Sequence, residues 1–305
     1  MTAGEAIFML EFKRMQLSDI DRIRPYFKYS VNRTCDNSAG GAFMWRNFFS
    51  VEYAEYNDTV VFKTRVVYSG NLAAFTLPLG KDVIGCISRV VEYCTANNMR
   101  ISFCTVTNEE VDLLETIFSE FQLFKETDWS DYVYKAENLR TLSGRKYNGQ
   151  RNHMNYFKRT FPNHSFEVIT HENLSHVRAF YVTLSQKMTF DTDIAKHEHD
   201  CVLEVLDNYD LYDQFGGLLK VDGNIVAFSV AENINNVMFV HIEKADIAFR
   251  GAYQVINNEL IKQFATDEIE YVNREEDVGD EGLRYSKRSY HPHEIIDKFI
   301  FLVDC

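Results

Sequence analysis

The chain has 305 residues, is 46% hydrophobic and carries a net charge of −13. That is enough apolar material for two domains of ordinary size, and the charge opposes long-range attraction to nucleic acid and anionic lipid. No apolar run approaches the roughly 18 residues needed to cross a bilayer, and Ala6 to Leu10 is too short and lacks the basic flank of a signal peptide, so a soluble, cytoplasmic protein is expected.

Ser18 to Lys28 reads as a short amphipathic helix, capped by Ser18, with Ile20, Ile23, Tyr26 and Phe27 on one face. Thr59 to Val67 and Leu72 to Leu77 read as strands joined through Ser69-Gly70-Asn71. Asp82 to Asn97 repeats an apolar face at helical spacing, and Arg100 to Val106 is a strand of β-branched and aromatic type. Asn108 is placed to cap a helix over Glu109 to Ser119, and a strand near Tyr132 to Lys135 closes a first α+β unit. From Leu142 to Phe161 the chain turns basic, polar and aromatic, with Gly144 and Gly149 as punctuation and Pro162 as a stop, which predicts a connecting helix with an irregular start.

The order then begins again. Phe166 to Ile169 reads as a strand, and Ser175 to Gln186 and His199 to Asn208 as helices. Gly216 to Val221 and Asn224 to Glu232 flank Asp222-Gly223, a hairpin signal because glycine accepts the positive φ of a type I′ turn. Asn236 to Glu243 is a further strand, Gly251 to Ala265 a helix, Ile269 to Asn273 a strand and Ile295 to Val303 a terminal one. The expected segments are 1–138, a basic connecting helix over 139–164, and 165–305, which holds the candidate cleft. Between the last two strands, Asn273 to Tyr290 packs acids, glycines and bases together; Asp280 is placed to cap a helix there, which Pro292 must end. Ligands of open sheets bind beyond the carboxyl ends of strands, where this stretch lies. It also reads as a surface turn tied by ion pairs.

The six cysteines (Cys35, Cys86, Cys94, Cys104, Cys201 and Cys305) form no CxxC pair, which fits reduced packing residues. His197-Glu198-His199-Asp200 invites a metal reading, but histidines two apart on a helix point to nearly opposite faces; only a loop or extended segment would let them chelate together. No metal is expected.

Hairpin, strand, helix, strand, helix, strand is the element order of the Gcn5-related acetyltransferase fold. Three segments carry a closer resemblance: Leu142 to Tyr147 running into Arg151 to Phe157, Phe249 to Asn257, and Asn273 to Tyr290. They resemble the phosphatidylglycerol lysyltransferase C-terminal domain family, with weaker likeness around Trp45-Arg46 and Asp131 to Tyr134, so that nearly the whole chain is covered. The resemblance implies an α+β fold of two tandem acyl-CoA N-acyltransferase-like domains, each a mixed, mostly antiparallel sheet with flanking helices. It also implies transfer of an acyl or aminoacyl group from an acyl-CoA or aminoacyl-tRNA donor to an amine or hydroxyl acceptor. A tRNA donor and a lipid acceptor sit less comfortably with so acidic a chain. The alternative is a non-catalytic binding module that kept the fold.

Coenzyme A or an acyl-CoA is the candidate cofactor. Arg250, Gly251, Ala252 and Tyr253 occupy the position where acetyltransferases hold its pyrophosphate on a helix N-terminus. Only the first residue of the R/Q-x-x-G-x-G/A pattern survives, since Tyr253 and Val255 stand at the glycine positions. Arg151 and Asn152 are further cofactor candidates, and Arg145 and Lys146 candidates for phosphates of a substrate, because guanidinium forks match phosphate oxygens. Glu275 is a candidate base, as is Glu243, with backbone N–H groups near Glu243 for the oxyanion. Asn273, Arg274, Asp277 and Lys287 would orient the acceptor. The neighbours Arg274, Arg284 and Lys287 would depress Glu275 and Asp277 by pairing, which favours positioning over proton transfer. Leu283, Ser286, Lys287 and Tyr290 share one helix face, so Lys287 and Tyr290 point together, while Tyr285 parallels the acid tyrosine of a Y-x-K-x-G-F ending.

Overall fold

The computed structural model describes residues 9–66 and 72–304. The expected turn at Ser69 to Asn71, Val67, most of the Ala6 to Leu10 run and Cys305 lie outside them. The strands are β1 (Lys13–Arg14), β2 (Glu52–Tyr56), β3 (Thr59–Val66), β4 (Leu72–Phe75), β5 (Leu79–Gly80), β6 (Ser102–Val106), β7 (Phe121–Lys125), β8 (Asp131–Lys135), β9 (His164–Val168), β10 (Phe215–Val221), β11 (Asn224–Ile234), β12 (Val237–Ala245), β13 (Tyr271–Asn273), β14 (Glu294–Ile296) and β15 (Phe299–Val303). They form two mixed sheets in two compact units. The first draws its described residues from 1–32, 45–127 and 297–305, the second from 33–44 and 128–296.

In the first unit the strand order is β1-β2-β3-β4-β6-β15-β7, with β5 also paired to β3. β4 and β6 are parallel, with Phe75 opposite Phe103, so a crossover must join them. The helix Val83–Ala96 supplies it, started by the Asp82 carboxylate, which accepts the Gly85 N–H at 3.0 Å. Its Cys86, Ile87, Val90 and Cys94 pack with Phe75, Phe103 and Phe301 into an apolar core. The next helix runs over Asn108–Glu115 and starts one residue earlier than expected. Glu110 reaches back to the Thr107 N–H at 2.8 Å, and this Thr-x-x-Glu pattern displaces Asn108 as cap. At the chain's start, Leu17–Asp19 is a 3-10 turn in which Asp19 accepts the Gln16 N–H at 2.8 Å, and the α-helix follows over Ile20–Phe27; Ser18 is not its cap.

In the second unit the order is β14-β8-β13-β12-β11-β10-β9, antiparallel except for β12 and β13. The helix Ala252–Phe264 joins that parallel pair. The β10–β11 hairpin turns as expected, with Asp222 at φ 49° and Gly223 at φ 80°. The histidines of 197–200 lie on the helix Asp193–Asp207, His197 meeting the Met44 carbonyl and His199 the Tyr181 hydroxyl, so they do not converge.

Two strands cross the expected boundaries. The expected closing strand of the first unit, here β8, lies between β13 and β14 in the second sheet. The single terminal strand expected over Ile295 to Val303 is broken at Asp297-Lys298, so β14 pairs in the second sheet and β15 inserts between β6 and β7 in the first. Each sheet is thus completed by a strand from the far half of the chain, and the units are not the consecutive segments 1–138 and 165–305. A strand's alternation fixes which face is buried, not which edge it joins.

Candidate active site

β12 and β13 pair through Val237 with Tyr271, Met238 with Val272 and Phe239 with Asn273. There β13 ends and the chain turns away, while β12 continues to Ala245. The divergence opens a crevice at the carboxyl end of a parallel pair, the usual ligand position in such sheets. At its rim stand His241, where the β11–β12 register shifts, and Glu243 beyond it, with Arg274 to Asp277 in the turn. Glu275 and Val278 adopt left-handed φ values of 58° and 46°, a strain that persists only where surrounding contacts hold it. Asn273 supplies one: its Oδ1 accepts the Glu275 N–H at 2.6 Å, while its Nδ2 donates to the Arg33 carbonyl at 2.6 Å. Fully buried, Asn273 shapes the turn instead of orienting an acceptor.

Glu243 Oε1 holds Arg274 Nη2 at 3.0 Å, and its Oε2 accepts from Asn257 Nδ2 at 2.8 Å. With both oxygens engaged and a cation paired to it, Glu243 anchors Arg274 and is a weak base. The Arg274 guanidinium lies 4.7 Å above the Tyr290 ring, and its Nη1 is buried without a hydrogen-bond partner. Burial opposes its charge, but Glu243 outweighs burial and keeps the group protonated.

Beside this pair, His241 bridges two carboxylates, with Nδ1 2.6 Å from Glu275 Oε1 and Nε2 2.7 Å from Glu232 Oε1. Glu232 Oε1 also accepts the Gly40 N–H at 2.5 Å. Burial alone would lower the imidazole pKa, yet the two carboxylates raise it to about 10. An imidazolium donating on both sides is the form this geometry fits. Glu275 therefore pairs with His241, not with the expected arginines and lysine, and burial pushes its carboxyl above the usual range against the pull of His241.

Lys287 Nζ donates to the carbonyls of Arg274, at 2.5 Å, and of Glu276. Burial lowers its pKa. Lys287 and the buried Tyr290 do share a face, but they brace the turn from the core side. Asp277 accepts from Tyr132 at 2.6 Å and from Arg284 Nη2 at 2.7 Å. Burial raises its pKa, but these bonds and that from the Gly279 N–H outweigh it and hold the carboxyl below its usual range. Asp280 caps the helix Glu281–Ser289 as expected, accepting the Leu283 N–H at 2.7 Å. Tyr285 is 79% exposed, two residues from Lys287 and so on the opposite face, far from the role of a buried acid. Cys35, Asp36 and Glu276 place ligand-type atoms within 4.8 Å of one another; the Cys35 thiol donates to Glu276 at 3.1 Å and to the buried Asp131 at 3.3 Å.

The cofactor candidates divide. Gly251 is required at φ 95°, but its open side is filled from within: a Cβ there would lie 2.4 Å from the His153 carbonyl oxygen. The glycine serves close approach of the helix Asn148–Thr160, and Ala252 is core. Tyr253 stays partly exposed. Arg151 is spent on its own turn, donating to the carbonyls of Leu142 and Gly144 and to Asn148. Arg145 and Lys146 are exposed in a 3-10 turn. Arg250 and Asn152 do come together, lining a pocket of about 560 Å³ with His153, Tyr156 and Arg159, where Arg250 stacks 4.9 Å from the Tyr156 ring. Sequence reasoning missed His241 and Glu232. Their signal was a glutamate near the end of the apolar strand Asn224–Ile234 and a histidine inside the apolar strand Val237–Ala245, since a polar residue in a buried strand is the informative exception.

Two mixed, mostly antiparallel sheets with flanking helices, the second opening at its parallel pair onto buried ionisable groups, define a tandem acyl-CoA N-acyltransferase-like protein. The chain belongs to the family described as "Phosphatidylglycerol lysyltransferase, C-terminal", which matches residues 27–302. Among solved structures, it is similar to a conserved protein of unknown function from Bacteroides thetaiotaomicron VPI-5482, at 30% identity with a TM-score of 0.89, over 97% of this chain and 100% of that one. The fold is shared with the C-terminal domain of a putative lysylphosphatidylglycerol synthetase from Agrobacterium fabrum, at 15% identity and TM-score 0.65, over 94% and 92% of the two chains. An uncharacterised protein of Mycoplasmoides gallisepticum is 25% identical over 217 residues, 65% of this chain and 68% of the relative. Among the described residues no helix is long and apolar enough to cross a membrane.

Proposed function

We propose that the protein is an aminoacyltransferase that moves an aminoacyl group from an aminoacyl-tRNA ester to a hydroxyl or amine acceptor at the β12–β13 crevice. One observation carries this reading: Arg274 is buried and charged, is fixed by Glu243 and Tyr290, and keeps Nη1 unpaired. A fixed donor with a spare N–H in a water-poor site is what an ester carbonyl needs as negative charge develops on its oxygen. The acceptor atom would attack that carbonyl, the bond to the ribose oxygen would break, and the acceptor's proton would pass to the leaving oxygen.

Three features favour an aminoacyl ester over a coenzyme A thioester. The family is named for lysyl transfer, Gly251 is closed off by the His153 carbonyl, and Tyr253 and Val255 stand where pyrophosphate-binding glycines would. The Arg159–Arg250 pocket gives phosphates a local foothold on an acidic chain. A second reading, a binding module without turnover, is favoured by the saturation of Glu243, Glu275 and Asp277 with partners.

The test is incubation with tRNA charged with labelled amino acids, alongside acetyl-coenzyme A, in the presence of phosphatidylglycerol vesicles or soluble amines. Label leaving the tRNA for an acceptor, and its loss in Arg274→Gln, is the expected result. Transfer from acetyl-coenzyme A alone would overturn the donor, and a melting shift with charged tRNA but no transfer would favour the binding module.

A further inference from the structure

Between Glu137 and Glu167 the chain carries no acid and six arginines or lysines, although the whole sequence has 45 acidic residues against 32 basic ones. The helix Asn148–Thr160 lies inside this stretch and is sorted by face. Gln150, Met154 and Phe157 are its buried residues. Gly149, Asn152, His153, Tyr156 and Arg159, at spacings of three and four, form a second stripe, which lines the pocket of about 560 Å³ that Arg250 joins from beyond β12. Lys158, one residue from Arg159, turns aside to Glu259 at 3.5 Å, and Arg151 is held by its own turn.

Two guanidinium groups thus share one concavity with no carboxylate in its lining. Among the described residues neither Arg159 nor Arg250 makes an ion pair, whereas Arg22, Arg178, Arg274 and Arg284 all do. Like charges held in one place repel, and an anion between them removes the repulsion. Guanidinium forks match phosphate oxygens in particular. The rest of the lining extends the match beyond a bare phosphate. Asn152, Asn155 and His153 offer donors and acceptors for base edges and ribose hydroxyls. Arg250, 4.9 Å from the Tyr156 ring, makes a flat platform of the kind on which unstacked bases lie. The volume is in the range of about 300–1,000 Å³ that takes a small organic ligand, far more than an inorganic anion fills. Asn152, Asn155, Arg159 and Arg250 are exposed, so a strand can enter and leave. Its place suits the crevice as well. Arg250 stands just before the helix Ala252–Phe264, whose Asn257 holds the Glu243 that anchors Arg274, so pocket and anchor lie on the side of the sheet which that helix covers.

We propose that this stripe and Arg250 bind the single-stranded 3′ end of the donor tRNA, with Arg159 and Arg250 on its phosphodiesters and Tyr156 and the two asparagines against its bases. The ligand class is single-stranded RNA ending in an esterified ribose. This rests on the aminoacyltransferase reading and names the residues that hold the nucleic-acid part of the donor. It also accounts for how a chain of net charge −13 takes a polyanion: attraction is confined to one acid-free helix and the arginine beside it.

Fluorescence anisotropy with labelled deacylated tRNA, and with the same tRNA shortened at its single-stranded 3′ end, tests the assignment between about 50 and 200 mM salt. Coenzyme A serves as competitor, and phosphatidylglycerol vesicles are tested by co-sedimentation. Wild type should bind the intact tRNA about fivefold or more tightly than the shortened one, as the stacking of a single base would give. Arg159→Gln/Arg250→Gln should abolish that difference and flatten the slope of log Kd against log salt by about 1.4, since each single-strand phosphate contact contributes about 0.7. It should melt with wild type, because both side chains are exposed and make no ion pair. Equal binding of intact and shortened tRNA by wild type, or binding of neither, would overturn the proposal without any variant. So would a double variant that binds both as wild type does. Coenzyme A that binds more tightly than tRNA and is lost in the double variant would give the pocket to a free nucleotide, and a loss confined to the vesicles would give it to a lipid phosphodiester; either result overturns the RNA assignment. The two readings separate cleanly. End-selective binding that is lost in the double variant, with no transfer from charged tRNA by wild type, removes only the transferase, whereas transfer whose KM for charged tRNA is unchanged in the double variant removes only this assignment.

Discussion

The two parallel strand pairs occupy the same topological position in their sheets and are filled in opposite ways. In the first unit Phe75 of β4 faces Phe103 of β6, and the surrounding residues, Val106, Val111, Leu114 and Phe301, are hydrocarbon. In the second unit the corresponding opening holds His241, Glu243, Arg274 and Glu275. Among the described residues, buried acidic, basic and histidine side chains follow the same division: Asp131, Glu232, His241, Lys244, Asp277 and Lys287 in the second unit, against Arg46 and Lys298 in the first. Desolvating each ion costs several kcal/mol, so a fold needing only stability would fill both openings as it fills the first. The difference sets the second opening apart as the one where buried charge is kept at a cost in stability.

The largest way to break this comparison is Glu243→Ala, which leaves the buried Arg274 without its counter-ion. A loss of about 3–5 kcal/mol in urea denaturation is expected, with most of it recovered in the Glu243→Leu/Arg274→Met double variant, because it is the unpaired charge that destabilises. A loss under about 1 kcal/mol would mean that the crevice is wet and its charges are not under load. Next comes Gly40→Ala. The new methyl would meet the His241 ring, and the expected cost is about 1–3 kcal/mol of overpacking. In the first unit, Phe103→Leu should cost about 1–2 kcal/mol, by the same amount at every pH and salt concentration, and leave the transfer rate of the folded protein unchanged. A fall in that rate would show that the apolar opening takes part in the chemistry.

Local signals in the sequence reported local structure well. Asp222-Gly223 gave the hairpin, Asp82 and Asp280 their helix starts, and the Asn273 to Tyr290 stretch the crevice itself. Partnerships across the chain were another matter. Nothing in Tyr132 to Lys135 or Phe299 to Val303 says that each strand completes the other sheet, because alternation encodes a face and leaves the edge open. The same limit applies to the site. Glu275 was visible, but its partner His241 lies 34 residues earlier, and the nearer bases Arg274 and Lys287 were credited with the pairing instead. Tyr285 was a different kind of miss, since its spacing of two from Lys287 already placed it on the far side of the helix.

The smallest predicted effect sharpens the comparison most, because it asks where a proton resides. His241 has a folded pKa of about 10, against an ordinary value of about 6.5 for an unfolded histidine. A group whose pKa is raised on folding adds stability that is complete below the unfolded pKa and is lost as pH climbs through the folded one. Wild type should therefore lose stability between about pH 7 and pH 10 relative to His241→Gln, which has no ring to titrate. Glu275, also raised, bends the curve in the same sense at its lower end, whereas Lys287, lowered by burial, bends it the other way. Both remain in the variant, but Glu275 loses the pull of His241 there, so the difference between the two curves reports the His241–Glu275 pair. Urea midpoints at pH 7, 8, 9 and 10 should converge towards the alkaline end. Parallel curves would mean that the ring is neutral and that Glu232 or Glu275 carries the shared proton. The crevice would then hold one positive charge fewer than the imidazolium gives it and one carboxylate fewer.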